Sequence, residues 1–204
     1  FAQLIASQVK ISRISPYQTG GGVRNATMFF GRDTLLADIL TREPRNYLLM
    51  GARQLGKTSL LQELERRYQR HSQVQCFYLS IGQDDIFQRV AQQLGLPPNT
   101  DWPALLARLA NPPAGQRYVL LIDEVDNFIR TETQRQYSTL HAFRNLSAEG
   151  RCHFILAGFW DLYQAVLDYH SPIKNFGEPL RLGALEKEAC YELATRPMTA
   201  LNLR

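Results

Sequence analysis

Short runs of apolar and β-branched residues alternate along the chain with longer stretches in which apolar residues recur every three or four positions. The short runs predict buried strands, and the longer stretches predict amphipathic helices. The predicted strands are residues 46–51, 74–81, 118–123 and 153–158, with a weaker fifth at 179–183. The predicted helices are residues 57–70, 85–94, 101–110, 134–148, 160–169 and 186–195. This alternation predicts an α/β fold of three layers, with a mostly parallel five-stranded sheet between helices.

The helix at 57–70 has the clearest two-sided pattern. Its apolar face carries Leu60, Leu61, Leu64 and Tyr68. On the other face Glu63 precedes Arg67 by four positions, a spacing that allows an ion pair. Arg66, Arg67 and Arg70 form the densest basic cluster of a chain with a net charge of +4 and a pI near 9.1. We interpret this cluster as a solvated helix face, and a nucleic-acid contact is the alternative.

Size and composition favour one globular core. The 204 residues are 45% hydrophobic, enough for one sizeable core or one core plus a small appendage. The chain begins with Phe1 rather than Met and ends just after a predicted helix, so we expect it to be a fragment of a longer protein.

The cysteines and histidines indicate neither a disulfide framework nor a structural metal. Cys76, Cys152 and Cys190 are far apart and in apolar surroundings, which suits buried, reduced thiols. The four histidines show no ligand spacing with them. No apolar run approaches the roughly 18 residues of a membrane helix, and the N-terminus does not resemble a secretion signal. We therefore expect a cytoplasmic protein without a membrane partner.

A candidate phosphate loop lies between the first predicted strand and the helix that follows it. Its sequence, GARQLGKT, has two glycines separated by four residues and then Lys-Thr, the P-loop pattern in its required strand-to-helix context. Curled backbone N–H groups and the helix N-terminus can bind phosphates, Lys57 can neutralise the β- and γ-phosphates, and the Thr58 hydroxyl can ligate Mg²⁺. The predicted nucleotide contacts are Gly51, Leu55, Gly56, Lys57, Thr58 and Ser59. The alternative is a plain glycine turn with a solvated lysine.

A second candidate element is YVLLIDEVD, residues 118–126. Its apolar run ends in Asp123 and Glu124 at the carboxyl end of a strand, which is where ligands bind in open parallel sheets. We expect Asp123 to hold Mg²⁺ through water, and Glu124 to polarise the water that attacks the γ-phosphate. Asp126 is interpreted as a helix cap or a solvent-facing acid rather than a third catalytic carboxylate.

Four segments in this order, FFGRDTLL, GARQLGKTSLL, VLLIDEVD and HFILAGFWDL, resemble the AAA-related signal-transduction ATPases with numerous domains (STAND). The preceding SPYQTGGGVRNATMFFGRD resembles the lead-in of a bacterial and archaeal branch of that family. The resemblance covers about residues 15–197. It implies a P-loop NTPase core with strand order 5-1-4-3-2.

The resemblance also implies nucleotide contacts outside the phosphate loop. It places Phe30, Gly31 and Arg32 near the adenine and the loop, with residues 17–23 beside the base. The alternative is that Phe30 is core and Arg32 a charge at a helix start. The implied domains are a lead-in at 1–28, an ATPase core at 29–184 and the start of a truncated helical arm at 185–204.

One departure from the family pattern and one resemblance to it concern the γ-phosphate. Relatives end the fourth strand with a polar or basic sensor, whereas this chain has Gly158, Phe159 and Trp160. Arg144, before that strand, resembles a position from which related ATPases reach a neighbouring subunit's nucleotide, although a surface or packing role is the alternative. The resemblance implies a Mg²⁺-dependent ATP/ADP switch that forms homo-oligomers with ATP. A DNA-handling AAA-like ATPase, or a nucleotide-binding scaffold with little turnover, remains the alternative.

Overall fold

The computed structural model describes residue 17 and residues 20–169 and 171–199. The strands are β1 (Tyr47–Met50), β2 (Val74–Ser80), β3 (Arg117–Asp123), β4 (Cys152–Gly158) and β5 (Glu178–Arg181). The helices are α1 (Asp33–Thr41), α2 (Lys57–Tyr68), α3 (Ile86–Gln93), α4 (Trp102–Ala110), α5 (Asp126–Gln134), α6 (Ser138–Ala148), α7 (Trp160–Leu167) and α8 (Lys187–Thr199). Short 3-10 helices span Ala26–Met28 and Pro172–Asn175. All five predicted strands are therefore present.

The five strands form one parallel sheet in the order β2-β3-β4-β1-β5. Read from the other edge this is the predicted order 5-1-4-3-2, so the fold class is confirmed. The register aligns Met50 of β1 with Gly158 of β4, and Ser80 of β2 with Asp123 of β3. The loop after β1 and the acidic pair after β3 therefore lie at the same edge of the sheet.

Alternating strand residues face two hydrophobic layers. In β1, Leu48 and Met50 belong to the hydrophobic cluster that includes residues of α3 to α7, whereas Tyr47 and Leu49 belong to the cluster that includes residues of α1 and α2. This alternation follows from the two-residue period of a strand, and it buries β1, β3 and β4 on both faces. Across the described ranges, no helix is both long enough and apolar enough to cross a membrane.

The predicted helix at 134–148 is wrong at its start, because two helices occupy this part of the chain. Between α5 and α6 the backbone of Gln136 and Tyr137 has φ values of 53° and 58°, a left-handed conformation that cannot continue an α-helix. The buried Glu132 carboxylate accepts hydrogen bonds from the backbone N–H groups of Thr139 (2.9 Å) and Leu140 (3.1 Å). Glu132 thereby joins α5 to the first turn of α6.

The segment before α1 packs along α2. The Val23 N–H donates to the Ser59 hydroxyl (3.0 Å), and Arg66 donates to the Arg24 carbonyl (2.8 Å). Arg66 also binds Glu63 (2.6 Å), and Arg67 forms the predicted ion pair with Glu63 (2.8 Å). Arg66 and Arg67 are therefore partly buried and bind within the chain, whereas Arg70 is exposed as a solvated face requires. Residues 1–16, 18 and 19 of the predicted lead-in lie outside the described residues.

The cysteines follow the prediction in two of three positions. All three are free thiols, and Cys76 and Cys152 are buried in the core. Burial raises the pKa of both thiols, which keeps them protonated and unreactive. Cys190 is exposed on α8, so the expectation that it is buried is wrong.

His153, in β4, is a buried group whose charge state depends on pH. Its side chain is 7% exposed, and within the described part of the chain its Nδ1 has no hydrogen-bond partner. Burial, followed by the charge of Arg117, lowers the pKa of His153 from 6.5 to about 4, and Glu43 opposes the shift weakly. The imidazole is therefore neutral in the folded protein at pH 7.

We expect the protein to lose stability between about pH 6.5 and pH 4 because of His153. In this interval the unfolded chain binds a proton at this site and the folded chain does not, so stability falls as the pH falls. The loss is on the order of 3 kcal/mol once the pH is below both pKa values. Urea unfolding of His153→Gln at pH 7 and pH 4.5 should show a smaller pH-dependent loss than the wild type. The exposed His71 provides the control variant His71→Gln, and equal losses in both variants would contradict the assignment.

Candidate active site

The phosphate loop leads from β1 into α2. Gly56 precedes the first helical residue with a φ of 87°, a left-handed conformation that glycine adopts without a steric penalty. Leu55, Gly56 and Lys57 are half-buried, whereas Arg53 and Gln54 are exposed at the outer side of the loop. The loop therefore presents its backbone and the N-terminus of α2 toward the edge of the sheet where β3 and β4 end.

The ammonium group of Lys57 crosses the mouth of the loop. It donates hydrogen bonds to the carbonyl oxygens of Gly51 (2.7 Å) and Ala52 (2.9 Å). Burial lowers the pKa of Lys57, and the nearby carboxylates of Asp123 and Asp126 oppose this change. These contacts hold a positive charge where the P-loop pattern requires one.

Thr58 and Asp123 meet beside Lys57. The Thr58 hydroxyl donates to Asp123 Oδ2 (2.6 Å), and the Tyr78 hydroxyl of β2 donates to the same oxygen (3.3 Å). Asp123 is only 2% exposed, and its burial raises the pKa of the carboxyl, against the hydrogen bond from Thr58. A hydroxyl and a carboxylate brought together in this way are the hard oxygen ligands that Mg²⁺ prefers, so these two residues fit the predicted metal site.

Glu124 follows Asp123 in a strained backbone conformation. Its φ is 59°, in the left-handed region that non-glycine residues rarely occupy and that is common at functional sites. Its N–H donates to Asp123 Oδ1 (2.9 Å), and its Oε2 accepts from the Ser80 hydroxyl at the end of β2 (2.7 Å). The sharp turn leaves the Glu124 carboxylate exposed at the edge of the sheet.

Asp126 caps a helix other than its own. Its carboxylate accepts hydrogen bonds from the backbone N–H groups of Phe159 (2.8 Å), Asp161 (2.9 Å) and Leu162 (3.3 Å). These groups belong to the N-cap residue and the first turn of α7, where N–H groups have no partner within the helix. Asp126 therefore connects the start of α5 with the segment after β4.

These elements surround a cleft of about 500 Å³. The phosphate loop and the start of α2 contribute Arg53, Gln54, Lys57 and Thr58, and the loop after β2 contributes Gly82 and Gln83. The end of β3 and the segment after it contribute Asp123, Glu124, Asp126, Asn127 and Arg130. Gly158, Phe159 and Asp161 complete the lining. The structure thus brings Lys57, Thr58, Asp123 and Glu124 together.

The other predicted site residues lie elsewhere. Arg32 donates to the Gly183 carbonyl (2.6 Å), Gly31 packs against Ala189, and the ring of Phe30 lies 6.0 Å from the Arg196 guanidinium carbon. This cluster stands beside α8 rather than in the cleft, and its contact with adenine stays a prediction. Ser59 holds the segment before α1 through its hydroxyl. Arg144 is exposed on α6 and does not line the cleft.

Sequence reasoning missed Tyr78, Ser80, Asn127 and Arg130. The order of the strands could have located Ser80, because β2 and β3 are neighbours and their carboxyl ends lie side by side. Asn127 and Arg130 follow the acidic pair on α5, a helix whose existence the sequence pattern did not indicate.

Comparison with known proteins identifies a family whose model covers this site. The model of the AAA domain family matches residues 40–166, which include the phosphate loop and the acidic pair. A search of curated proteins gives no match to the sequence.

Similar solved structures share the fold over most of the chain. The Walker-type ATPase of Pyrococcus abyssi has a TM-score of 0.61 and 16% identity, with 92% of this chain and 63% of that chain covered. The ORC1 protein of Aeropyrum pernix, in complex with DNA, has a TM-score of 0.60 and 17% identity, with coverages of 84% and 50%. AMPPCP-bound DnaA from Aquifex aeolicus has a TM-score of 0.57 and 18% identity, with coverages of 94% and 56%. The chain thus spans about half to three-fifths of the length of these proteins.

Proposed function

Since the chain belongs to the AAA domain family, we propose that it binds ATP with Mg²⁺ in the cleft beside the phosphate loop and hydrolyses the γ-phosphate. The observation that carries this proposal is the hydrogen bond of 2.6 Å between Thr58 and Asp123, with Lys57 beside it. This contact joins two elements 65 positions apart in the sequence, as a shared metal and phosphate site requires.

Each residue of the cleft has a defined task in this proposal. Lys57 exchanges its bonds to the loop carbonyls for bonds to phosphate oxygens, and Thr58 and Asp123 would hold Mg²⁺. The bound ion would neutralise charge on the phosphates. Glu124 orients a water molecule and accepts its proton as the water attacks. Its bond to Ser80 keeps the carboxylate at the edge of β2 until a water competes for it.

The structural neighbours favour a DNA-handling ATPase over the signal-transduction switch. One of them is an ORC1 protein in complex with DNA, and another is DnaA. The net charge of +4 is compatible with a polyanionic partner, although charge by itself names none. We therefore propose that this chain is the ATPase domain of a protein that acts on DNA.

The STAND-type switch is the second candidate, and the segment before α1 favours it. The resemblance to that family included the lead-in, and the structure seats Val23 on Ser59, in the first turn of α2. A nucleotide bound at Thr58 would adjoin this segment. We propose a lead-in at 1–28, a core at 29–184 and the start of a further arm at 185–204, with homo-oligomers in the ATP state. Arg144 is the candidate residue that reaches a neighbouring copy's site.

Turnover of the purified chain with and without duplex DNA tests the proposal. We expect ATP hydrolysis that depends on Mg²⁺, so that a chelator abolishes it. We also expect duplex DNA to change the rate of hydrolysis, or labelled DNA to show a higher fluorescence anisotropy when the protein binds it at low salt. DNA contacts of this kind weaken steeply with salt, so the titration is repeated at two salt concentrations. Turnover that DNA leaves unchanged, without DNA binding, would favour the switch. Tight nucleotide binding without turnover would favour the scaffold alternative.

A further inference from the structure

The segment after β4 provides no polar sensor for the γ-phosphate. Gly158 has no side chain, Phe159 lines the cleft with an aromatic ring, and Trp160 is 58% exposed. Asp161, the next residue of the lining, is acidic and would repel phosphate. A positive group that recognises the third phosphate must therefore come from another element.

Arg130 occupies a suitable position on α5. It lines the same cleft as Glu124 and Gly158, and its Nη2 donates to the Asn127 side-chain oxygen (3.0 Å) one turn earlier. Among the described residues of this lining, the basic ones are Arg53, Lys57 and Arg130. Arg53 and Lys57 belong to the phosphate loop, which would contact ATP and ADP alike, so Arg130 is the basic residue that another element contributes to the lining.

The helix that carries Arg130 is held at both ends. Asp126, in its first turn, is bonded to the start of α7, and Glu132, in its last turn, is bonded to the start of α6. Asn127 restricts the guanidinium on this fixed helix. An arginine that is already oriented loses less entropy when it forms charge-assisted bonds to phosphate.

We propose that Arg130 contacts the γ-phosphate of ATP bound in the same chain, and so distinguishes ATP from ADP. The inference rests on the nucleotide-binding function proposed above. Four carboxylates, those of Asp123, Glu124, Asp126 and Asp161, line the cleft and disfavour a terminal phosphate. A guanidinium beside them offsets this repulsion only for the nucleotide that has the third phosphate.

Calorimetric titration of the Arg130→Ala chain with Mg²⁺ and either a non-hydrolysable ATP analogue or ADP tests this inference. We expect affinity for the analogue to fall about tenfold or more, with affinity for ADP changed less than about threefold. Arg130→Lys keeps the positive charge but not the planar guanidinium group with its paired N–H donors, so it should recover part of the lost affinity for the ATP analogue. Arg135→Ala is the matched control, because this exposed arginine follows α5 and lies outside the cleft. It should leave both affinities unchanged.

Three other results would overturn the assignment. An unchanged ratio of the two affinities in Arg130→Ala means that Arg130 does not recognise the third phosphate. Recovery of ATP-analogue binding by a mixture of Arg130→Ala and Lys57→Ala chains means that the arginine acts on a neighbouring copy. Wild-type protein that binds neither nucleotide contradicts the proposed function itself and this inference with it. Arg130 is exposed, so Arg130→Ala and Arg130→Lys should keep the wild-type melting temperature.

Discussion

Glu124→Gln should bind ATP as tightly as the wild type and hydrolyse it about a hundredfold more slowly. The substitution preserves the size of the side chain and an oxygen that can accept the Ser80 hydroxyl bond (2.7 Å), but it removes the charge that accepts a proton from water. The backbone strain at φ 59° is the same for both residues, so the fold should not change. Single-turnover hydrolysis and calorimetric affinity, measured on the same preparation, separate chemistry from binding.

The control for this experiment is Glu149→Gln. Glu149 is exposed after the end of α6 and lies outside the cleft, so its loss removes the same charge from the chain without altering the site. We expect wild-type turnover from this variant. If Glu124→Gln hydrolyses ATP at the wild-type rate, Glu124 does not activate the water.

Lys57→Ala should weaken the binding of Mg²⁺-ATP at least tenfold, which corresponds to about 1.4 kcal/mol or more. The variant lacks the ammonium group that can bind phosphate oxygens, and it also lacks the bonds that tie Lys57 to the carbonyls of Gly51 and Ala52. The lost charge decides the outcome, because the bonds to the carbonyls belong to the empty loop and are exchanged for phosphate bonds when ATP binds. Isothermal titration calorimetry at fixed salt measures the effect.

Lys174→Ala is the matched control for Lys57. Its ammonium group contacts the ring of Tyr169 and is not part of the cleft, so the variant should bind Mg²⁺-ATP normally. Unchanged affinity for Mg²⁺-ATP in Lys57→Ala would contradict the phosphate-loop interpretation. GARQLGKT would then be explained as a plain glycine turn followed by a solvated lysine.

The parts of the fold that could be predicted depend on local patterns. A run of apolar residues before Gly51 predicts β1 because a strand buried on both faces needs no polar positions. The order of the strands came from the family resemblance, since the pattern of one sequence cannot specify which strands pair. The break between α5 and α6 was missed because Gln136 and Tyr137 give no glycine or asparagine signal for a left-handed backbone.

The acidic and basic residues of the cleft were predictable only where a motif includes them. Lys57, Thr58, Asp123 and Glu124 belong to two motifs with known chemistry, so their side-by-side placement could be expected. The bond from Ser80 to Glu124 joins residues 44 positions apart, and it exists because β2 lies beside β3. Arg130 gave no signal because the sequence pattern did not indicate α5, and an arginine outside a motif usually marks only a solvated face.

The hydrogen bonds of Asp126 have a consequence for communication between the cleft and the outside of the protein. Asp126 lies three positions after Asp123 and binds the N–H groups that begin α7, where Phe159 and Trp160 expose 40% and 58% of their surfaces. The acidic turn after β3 and the aromatic surface are thus joined by hydrogen bonds from backbone N–H groups to one carboxylate. Under the nucleotide-binding function proposed above, a shift of that turn would be passed to the two aromatic rings, and a partner that contacts them would sense the state of the cleft.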